Sequence, residues 1–450
     1  MKKLLALVLA LAMVLSLAAC GGKADAPAAP EAPKADAPAA PAAPAATEAP
    51  VAKDPDPVTI YYCNYAVLET AHTDYWNQLV ADFEKEYPYI NVEMVSAAYN
   101  DVLTYATNRV GGGERIDLML GEVDWSQILA SNGLSSPVTE VVSEEFLAQF
   151  PQSVLDCYNY EGECYGIPMY TSNLIVYANN NYLKEAGLDY TNPPKTTAEL
   201  MQWCEALQGV KNPNSGEQVI AFGISMAEKT APGHFLKCLV SAHGGHIMNM
   251  DGQLDLENEG FKEAIAFVKE MTDKGYCPVN WLPKDFRPGM ATGTVAMYID
   301  QTWGFSGVYA TDPNAADYVV SFPIPNLGTN GKGATNLSAF SLYVANNGEA
   351  EAAATGKFVE YIMNYEDTWK HSADTTPAYY SYAGAADMPL SPVLEGAKDS
   401  AANLATEVYL PEQTAYQIAI ATMFNSYCMG EATLDEAIAK FTATVSPMLP

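Results

Sequence analysis

The chain has 450 residues, 49% hydrophobic and only 17% charged, a composition that excludes a disordered protein and implies more than one compact unit. Its 54 acidic residues against 23 basic ones give a formal charge of -31, and no basic cluster interrupts the acidity. That excludes a nucleic-acid partner and reads as a solubilising outer surface.

Lys2 and Lys3 precede an apolar stretch from Leu4 to Leu17, broken only by Ser16. This stretch is shorter than the ~20 residues a membrane-spanning helix needs. Leu17-Ala18-Ala19 then sets small residues before Cys20. Residues 1–20 resemble a bacterial lipoprotein signal peptide, which implies a diacylated Cys20 and a lipid anchor on the extracytoplasmic face of the cell membrane. Residues 21–57 follow as an alanine- and proline-rich run holding nine of the 29 prolines. Proline without apolar side chains to bury gives an extended tether, able to reach on the order of 100 Å at ~3.1 Å per residue.

From Val58 the pattern alternates. VTIYYC (58–63) reads as a strand, and residues 74–86 as a helix with Trp76, Leu79, Val80 and Phe83 on one stripe. Strands at 90–95 and 116–120 flank a helix near 99–110, and such β-α-β alternation argues for parallel sheets covered by helices. Glu161-Gly162 is a candidate hairpin turn between Cys157 and Cys164. Residues 173–180 read as a strand, 220–225 as another, and 232–242 and 261–271 as helices. Thr196 with Glu199, and Thr433 with Glu436, have capping-box spacing ahead of apolar helical stripes. VAMYID (295–300) and LSAFSLYVA (337–345) return to strand, and a helix follows at about 349–363.

Apart from Cys20, seven cysteines are scattered without a CxxC. Neither a disulfide framework nor a cysteine metal site follows, and they read as small buried apolar residues. His243 and His246 flank two glycines; packing rather than metal binding is expected of them. No Walker, GxSxG or HExxH motif occurs, so no cofactor, metal or catalytic group is expected.

Four further stretches carry a resemblance. They are YGIPMY (165–170), YANNNYLKEAGLDYTNPPKTTAELMQWCEAL (177–207), SAHGGHIMNMDGQLDL (241–256) and FRPGMATGTVAMYIDQTW (286–303). In this order they resemble family 1 extracellular solute-binding proteins, the group that includes maltose-binding proteins. The resemblance implies an α/β, two-lobed periplasmic-binding-protein-like fold, each lobe a mostly parallel sheet flanked by helices, with a ligand cleft between the lobes. It implies lobe 1 from 58–172 and 294–335, lobe 2 from 173–293 and 336–450, and crossings near 170–174, 292–296 and 333–340. It further implies a monomer that hands a sugar or short oligosaccharide to an ABC permease.

Pyranose rings present apolar faces that stack on aromatic rings, and hydroxyls that pair with carboxylates and amides. In an α/β lobe the ligand lies beyond the carboxyl ends of strands. By that rule the loop after the first strand offers Asn64, Tyr65 and Glu69, and the loop after the third offers Glu122, Asp124 and Trp125. The crossover offers Tyr170, Thr171 and Ser172, and the return strand ends in Asp300, Gln301 and Trp303, with Trp281 as a further stacking candidate. Two other readings compete. One is a surface-anchored glycan hydrolase using Glu122 and Asp300 as its carboxylate pair, and the other is a peptide or polyamine binder. The anchor is tested by Cys20→Ser, expected to move the protein from the membrane pellet to the soluble fraction on cell fractionation; retention in the pellet would refute the lipobox reading.

Overall fold

The computed structural model describes residues 56–449 except 69–71, 99–100, 332, 334–336, 376–381, 384–391, 395–407 and 411, with backbone alone at 170–171, 337–339, 372–375 and 392. The leader, Cys20, the tether up to residue 55 and Glu69 therefore lie outside the described residues. Strand β1 (Val58–Cys63) pairs in parallel with β2 (Ile90–Val95), Val58 opposite Ile90 through Cys63 opposite Val95. The helix Thr73–Glu86 connects them and buries Trp76, Leu79 and Phe83, spaced so that all three fall on one stripe. Strand β3 (Leu118–Glu122) joins the other side of β1, again in parallel. A two-residue-stranded hairpin, β4 (Asn159–Tyr160) and β5 (Glu163–Cys164), turns at Glu161-Gly162 as expected, with Asn159 opposite Cys164.

Strand β6 (Ile167–Asn179) is 13 residues long and serves two sheets. Two further strands, β7 (Met297–Gln301) and β8 (Val319–Pro323), run antiparallel to its second half, Leu174 facing Gln301 and Asn179 facing Val319. The last strand, β9 (Leu337–Val344), runs antiparallel to its first half and also to β3, so that Phe340 faces Tyr170 on one side and Glu122 on the other. The two-lobed α/β fold is as expected, but the sheets are mixed rather than mostly parallel. The reason is that β7, β8 and β9 all pair antiparallel to one shared strand. The segment expected as a strand at 220–225 makes only isolated parallel bridges, Ile220 to Val295 and Gly223 to Tyr298.

Side chains of β6 alternate faces, and the cores record it. Leu174, Val176 and Ala178 enter one cluster with Phe222, Leu236, Phe261, Ile299, Phe322, Ile420 and Phe441. Ile175 and Tyr177 enter another with Phe286, Tyr298, Phe305, Val393 and Leu394. A separate core gathers Ile60, Tyr62, Trp76, Phe83, Leu118, Ile167, Leu342, Phe358 and Tyr382. This distribution corrects the expected segments. Residues 296–327 side with the second half of β6, not with lobe 1, and residues 342–369 together with Tyr382 side with β1–β3, not with lobe 2. The expected crossing at 292–296 is absent, because Val295 and Ala296 both pack beside the second half of β6. Sequence patterns mark strands but not the sheet a strand joins, which is why this allocation was misjudged.

Of the seven described cysteines, five are buried. Burial pushes the Cys63 and Cys277 thiols up to about 12, so they are inert packing groups. Both anticipated capping boxes form. Thr196 accepts from the Glu199 N–H while Glu199 accepts from the Thr196 N–H, and Thr433 and Glu436 do the same. Thr433→Ala is expected to cost about 1 kcal/mol. A fall in the urea midpoint at unchanged slope would show it, whereas an unchanged midpoint would mean that the last helix docks without its cap.

Candidate functional site at the strand junction

Chain direction decides where the strand ends meet. Strands β1, β3 and β6 all run from the first sheet toward the second, and β7 runs back toward the first. The carboxyl end of β3, Glu122, lies level with Tyr170 of β6 through Phe340, and the carboxyl end of β7, Gln301, lies level with Leu174. Four residues of β6 separate the two levels, about 13 Å at ~3.3 Å per residue. The carboxyl ends of strands from both halves therefore face one junction.

On the first side, Asn64 is fully buried. Its Oδ1 accepts from the Ala66 N–H at 2.9 Å, and its carbonyl accepts from the Ser96 hydroxyl at 2.6 Å. Its amide nitrogen has no partner among the described residues. Asn64 shapes the turn with no exposed surface. Tyr65 donates its hydroxyl to Glu122 Oε1 at 3.1 Å. Its ring meets Phe340 edge-on at 5.9 Å and lies tilted to Trp125 at 6.3 Å. The Tyr343 hydroxyl donates to the Glu122 carbonyl at 2.6 Å and pins the turn into Val123–Trp125. Glu122, Asp124 and Trp125 are all half-buried. Phe340 is a neighbour that the sequence reading missed. Only the pairing of its strand between β3 and β6 brings it here.

On the second side, Asp300 is fully buried and takes two hydrogen bonds from Arg287, at 2.7 and 3.0 Å, plus one from the Gln301 N–H at 2.8 Å. Burial pushes its carboxyl up from the ordinary value, against the opposing donors and charge of Arg287. Burial likewise pulls on the Arg287 guanidinium, yet Asp300 holds it above its usual value, so the two stand as an ion pair. Asp300 is thus committed to Arg287 and to the backbone of Gln301, with no exposed surface.

Trp303 fares differently. It is half-buried, its indole N–H donates to Gln301 Oε1, and the Arg287 guanidinium lies 4.3 Å from its ring centre. The backbone beneath is fixed. Tyr177 donates to the Thr302 carbonyl at 2.7 Å, the Thr302 hydroxyl to Ser172 at 3.0 Å, and Ser306 to the Trp303 carbonyl at 2.7 Å. Trp281 belongs instead to a row of rings, Trp281, Phe286, Tyr298, Tyr177 and Phe305, with neighbouring centres 5.2 to 6.3 Å apart. It sits at the end of that row away from Phe305. Glu69 lies outside the described residues, and of Tyr170 and Thr171 only the strand positions are described.

His243 and His246 do not converge. His243 is buried and bonds the Leu239 carbonyl at 2.6 Å, burial holding it below the usual value, while His246 bonds Asp255 at 2.8 Å. No group of three or more metal-binding side chains occurs among the described residues. No helix among them is long and apolar enough to cross a membrane.

Residues 78–401 match the bacterial extracellular solute-binding protein family. The chain belongs to that family. Maltodextrin-binding protein MdxE of Bacillus subtilis is 24% identical over 328 residues, 68% of this chain and 72% of the relative. A binding protein of Brucella abortus is 24% identical over 260 residues, and the match spans 57% of this chain and 61% of that relative's length. Among solved structures, the cyclic α-maltosyl-1,6-maltose binding protein of Arthrobacter globiformis superposes with a TM-score of 0.73 at 18% identity, covering 87% of this chain and 99% of that one. The sugar-binding protein MalE of Xanthomonas citri gives 0.72 at 18%, over 87% and 97%. These neighbours establish the fold that the strand pairing describes.

The buried ion pair sets a measurable penalty. Asp300→Ala strands the Arg287 charge and is expected to cost about 3–5 kcal/mol of stability in urea unfolding. A change below about 1 kcal/mol would show that water reaches the pair.

Proposed function

We propose that this protein is the extracellular solute-binding subunit of an ABC importer, capturing a sugar or short oligosaccharide between its halves and delivering it to a membrane permease without chemical change. The observation that carries this reading is the meeting of strand carboxyl ends from both halves. One side brings Glu122 and Trp125, with the buried Tyr65 bonded to Glu122, and the other brings Gln301 and Trp303. Aromatic faces with flanking amide and carboxylate groups match a pyranose, whose rings are apolar above and below and polar around the edge. The names of the relatives, which bind maltodextrin and cyclic maltosyl-maltose, point to the same ligand class. The commitment of Asp300 to Arg287 supports binding over a hydrolase that pairs Glu122 with Asp300 across a glycosidic bond. The lipobox at Cys20 and the alanine- and proline-rich run would hold such a subunit near its permease as an anchored monomer.

A ligand that binds only the folded protein raises its thermal midpoint, so a panel of maltodextrins and other sugars, with peptides and polyamines as controls, identifies the ligand class. Stabilisation by sugars alone is expected; stabilisation by the polyamines or peptides alone would overturn the sugar assignment. Trp303→Ala is expected to weaken calorimetric binding of the best sugar by about 2–4 kcal/mol, as for a central aromatic anchor, with a smaller loss of stability. Unchanged affinity with a large loss of stability would make Trp303 a core residue and move the pocket toward Trp125.

A further inference from the structure

We propose that Arg287 is a positioning residue. It covers one face of Trp303 and fixes the indole plane, so that a ligand stacks only on the opposite face; the ligand part of this claim rests on the sugar-binding reading above. Three observations converge on it. The guanidinium is itself immobilised, because two of its N–H groups are taken by the fully buried Asp300 and its side chain is only 14% exposed. It lies 4.3 Å from the ring centre, within the range where a cation is attracted to an aromatic face. The indole N–H is tied to Gln301, the neighbour of Asp300, so ring plane and ring rotation are both fixed from one side.

The loop that carries Trp303 is shaped around this arrangement. Gly304 passes so close to the pair that a Cβ there would lie 2.2 Å from Asp300 Oδ2, and a Cβ at Gly307 would lie 2.6 Å from Arg287 Cδ. Both positions sit in the turn and short helix just after the ring, Thr302–Gly304 and Phe305–Tyr309. A planar guanidinium can bond a carboxylate through one edge and stack through its face at the same time, which a lysine ammonium cannot. Arginine is thereby required by two partners at once, one buried and one bordering the junction.

The test reads the ring directly. The near-ultraviolet circular dichroism of the protein minus that of its Trp303→Phe variant isolates the Trp303 signal, recorded in the native background, in Arg287→Lys and in Gly307→Ala. Gly307→Ala displaces the arginine stem while leaving every charge in place, and a helical alanine there keeps the fold intact even if Arg287→Lys loosens it. The Trp303 signal is expected to fall at least twofold in both backgrounds, with acrylamide quenching of that indole rising, while the thermal midpoint of Gly307→Ala stays within a few degrees of the native value. A Trp303 signal unchanged in both backgrounds overturns the proposal, whatever carbohydrate the site takes. Maltotriose titrations supply a separate arm. Affinity at least tenfold weaker in Gly307→Ala supports the stacking geometry. An altered signal with native maltotriose affinity overturns the claim that ring orientation serves the ligand. Sugar binding unaltered by Trp303→Ala overturns the stacking half of the proposal, whereas failure of every sugar to bind strikes the functional reading alone, since the spectral arm still reports the ring.

Discussion

The structure depends on one strand bonding in two sheets. Through its first residues β6 is held by β9, and through its last by β7 and β8. Its alternation sends Leu174, Val176 and Ala178 to one core and Ile175 and Tyr177 to another, so no residue of that half can slip register without turning apolar side chains to the wrong face. Because β3 runs with β6 and β7 against it, the same strand dictates that strand ends from both halves point inward. Every candidate ligand contact inherits its place from that pairing. Hinged closure of two halves is a common way to surround a small molecule, and a shared strand is a natural place for the bend.

The carboxylates show how burial separates structural from functional acidity. Asp117 is fully buried and accepts from the Tyr61 N–H, Arg115 and Asn347, locking the start of β3. Asp300 is equally buried and equally committed. Glu122, by contrast, remains half-buried at a strand end beside aromatic rings, with a tyrosine hydroxyl on one oxygen. Desolvation is tolerable for the first two only because charged or backbone donors surround them. A charge set at the junction needs no such shell, since water or ligand hydroxyls serve it.

Local signals were legible in the sequence and pairing was not. The capping boxes at Thr196 and Thr433, the helix stripe of Trp76 and Phe83, and the hairpin at Glu161-Gly162 depend on residues near one another in the chain, and the structure has them. The allocation of 296–327 and 342–369 is not local, because it depends on which distant strand each segment joins. The rule of strand carboxyl ends reaches Glu122, Gln301 and Trp303, which are half-buried beside the junction. It also reaches Asn64, Tyr65 and Asp300, whose side chains are buried, because position along a strand does not reveal which way a side chain points. Phe340 was invisible for the complementary reason, lying mid-strand and reaching the junction only through its neighbours.

The buried rings beneath the junction have a consequence for alkaline conditions. Tyr158, Tyr177, Tyr298 and Tyr343 are almost completely enclosed, and burial raises each hydroxyl well above the ordinary tyrosine range. An unfolded chain would ionise all four near pH 10, whereas the folded one keeps them neutral. The stability they lend is complete below that pH and drains away above it, since only the unfolded form can release those protons. Tyrosinate absorbance near the end of an alkaline titration would therefore rise in a late, cooperative step, and that step would mark the loss of the fold itself.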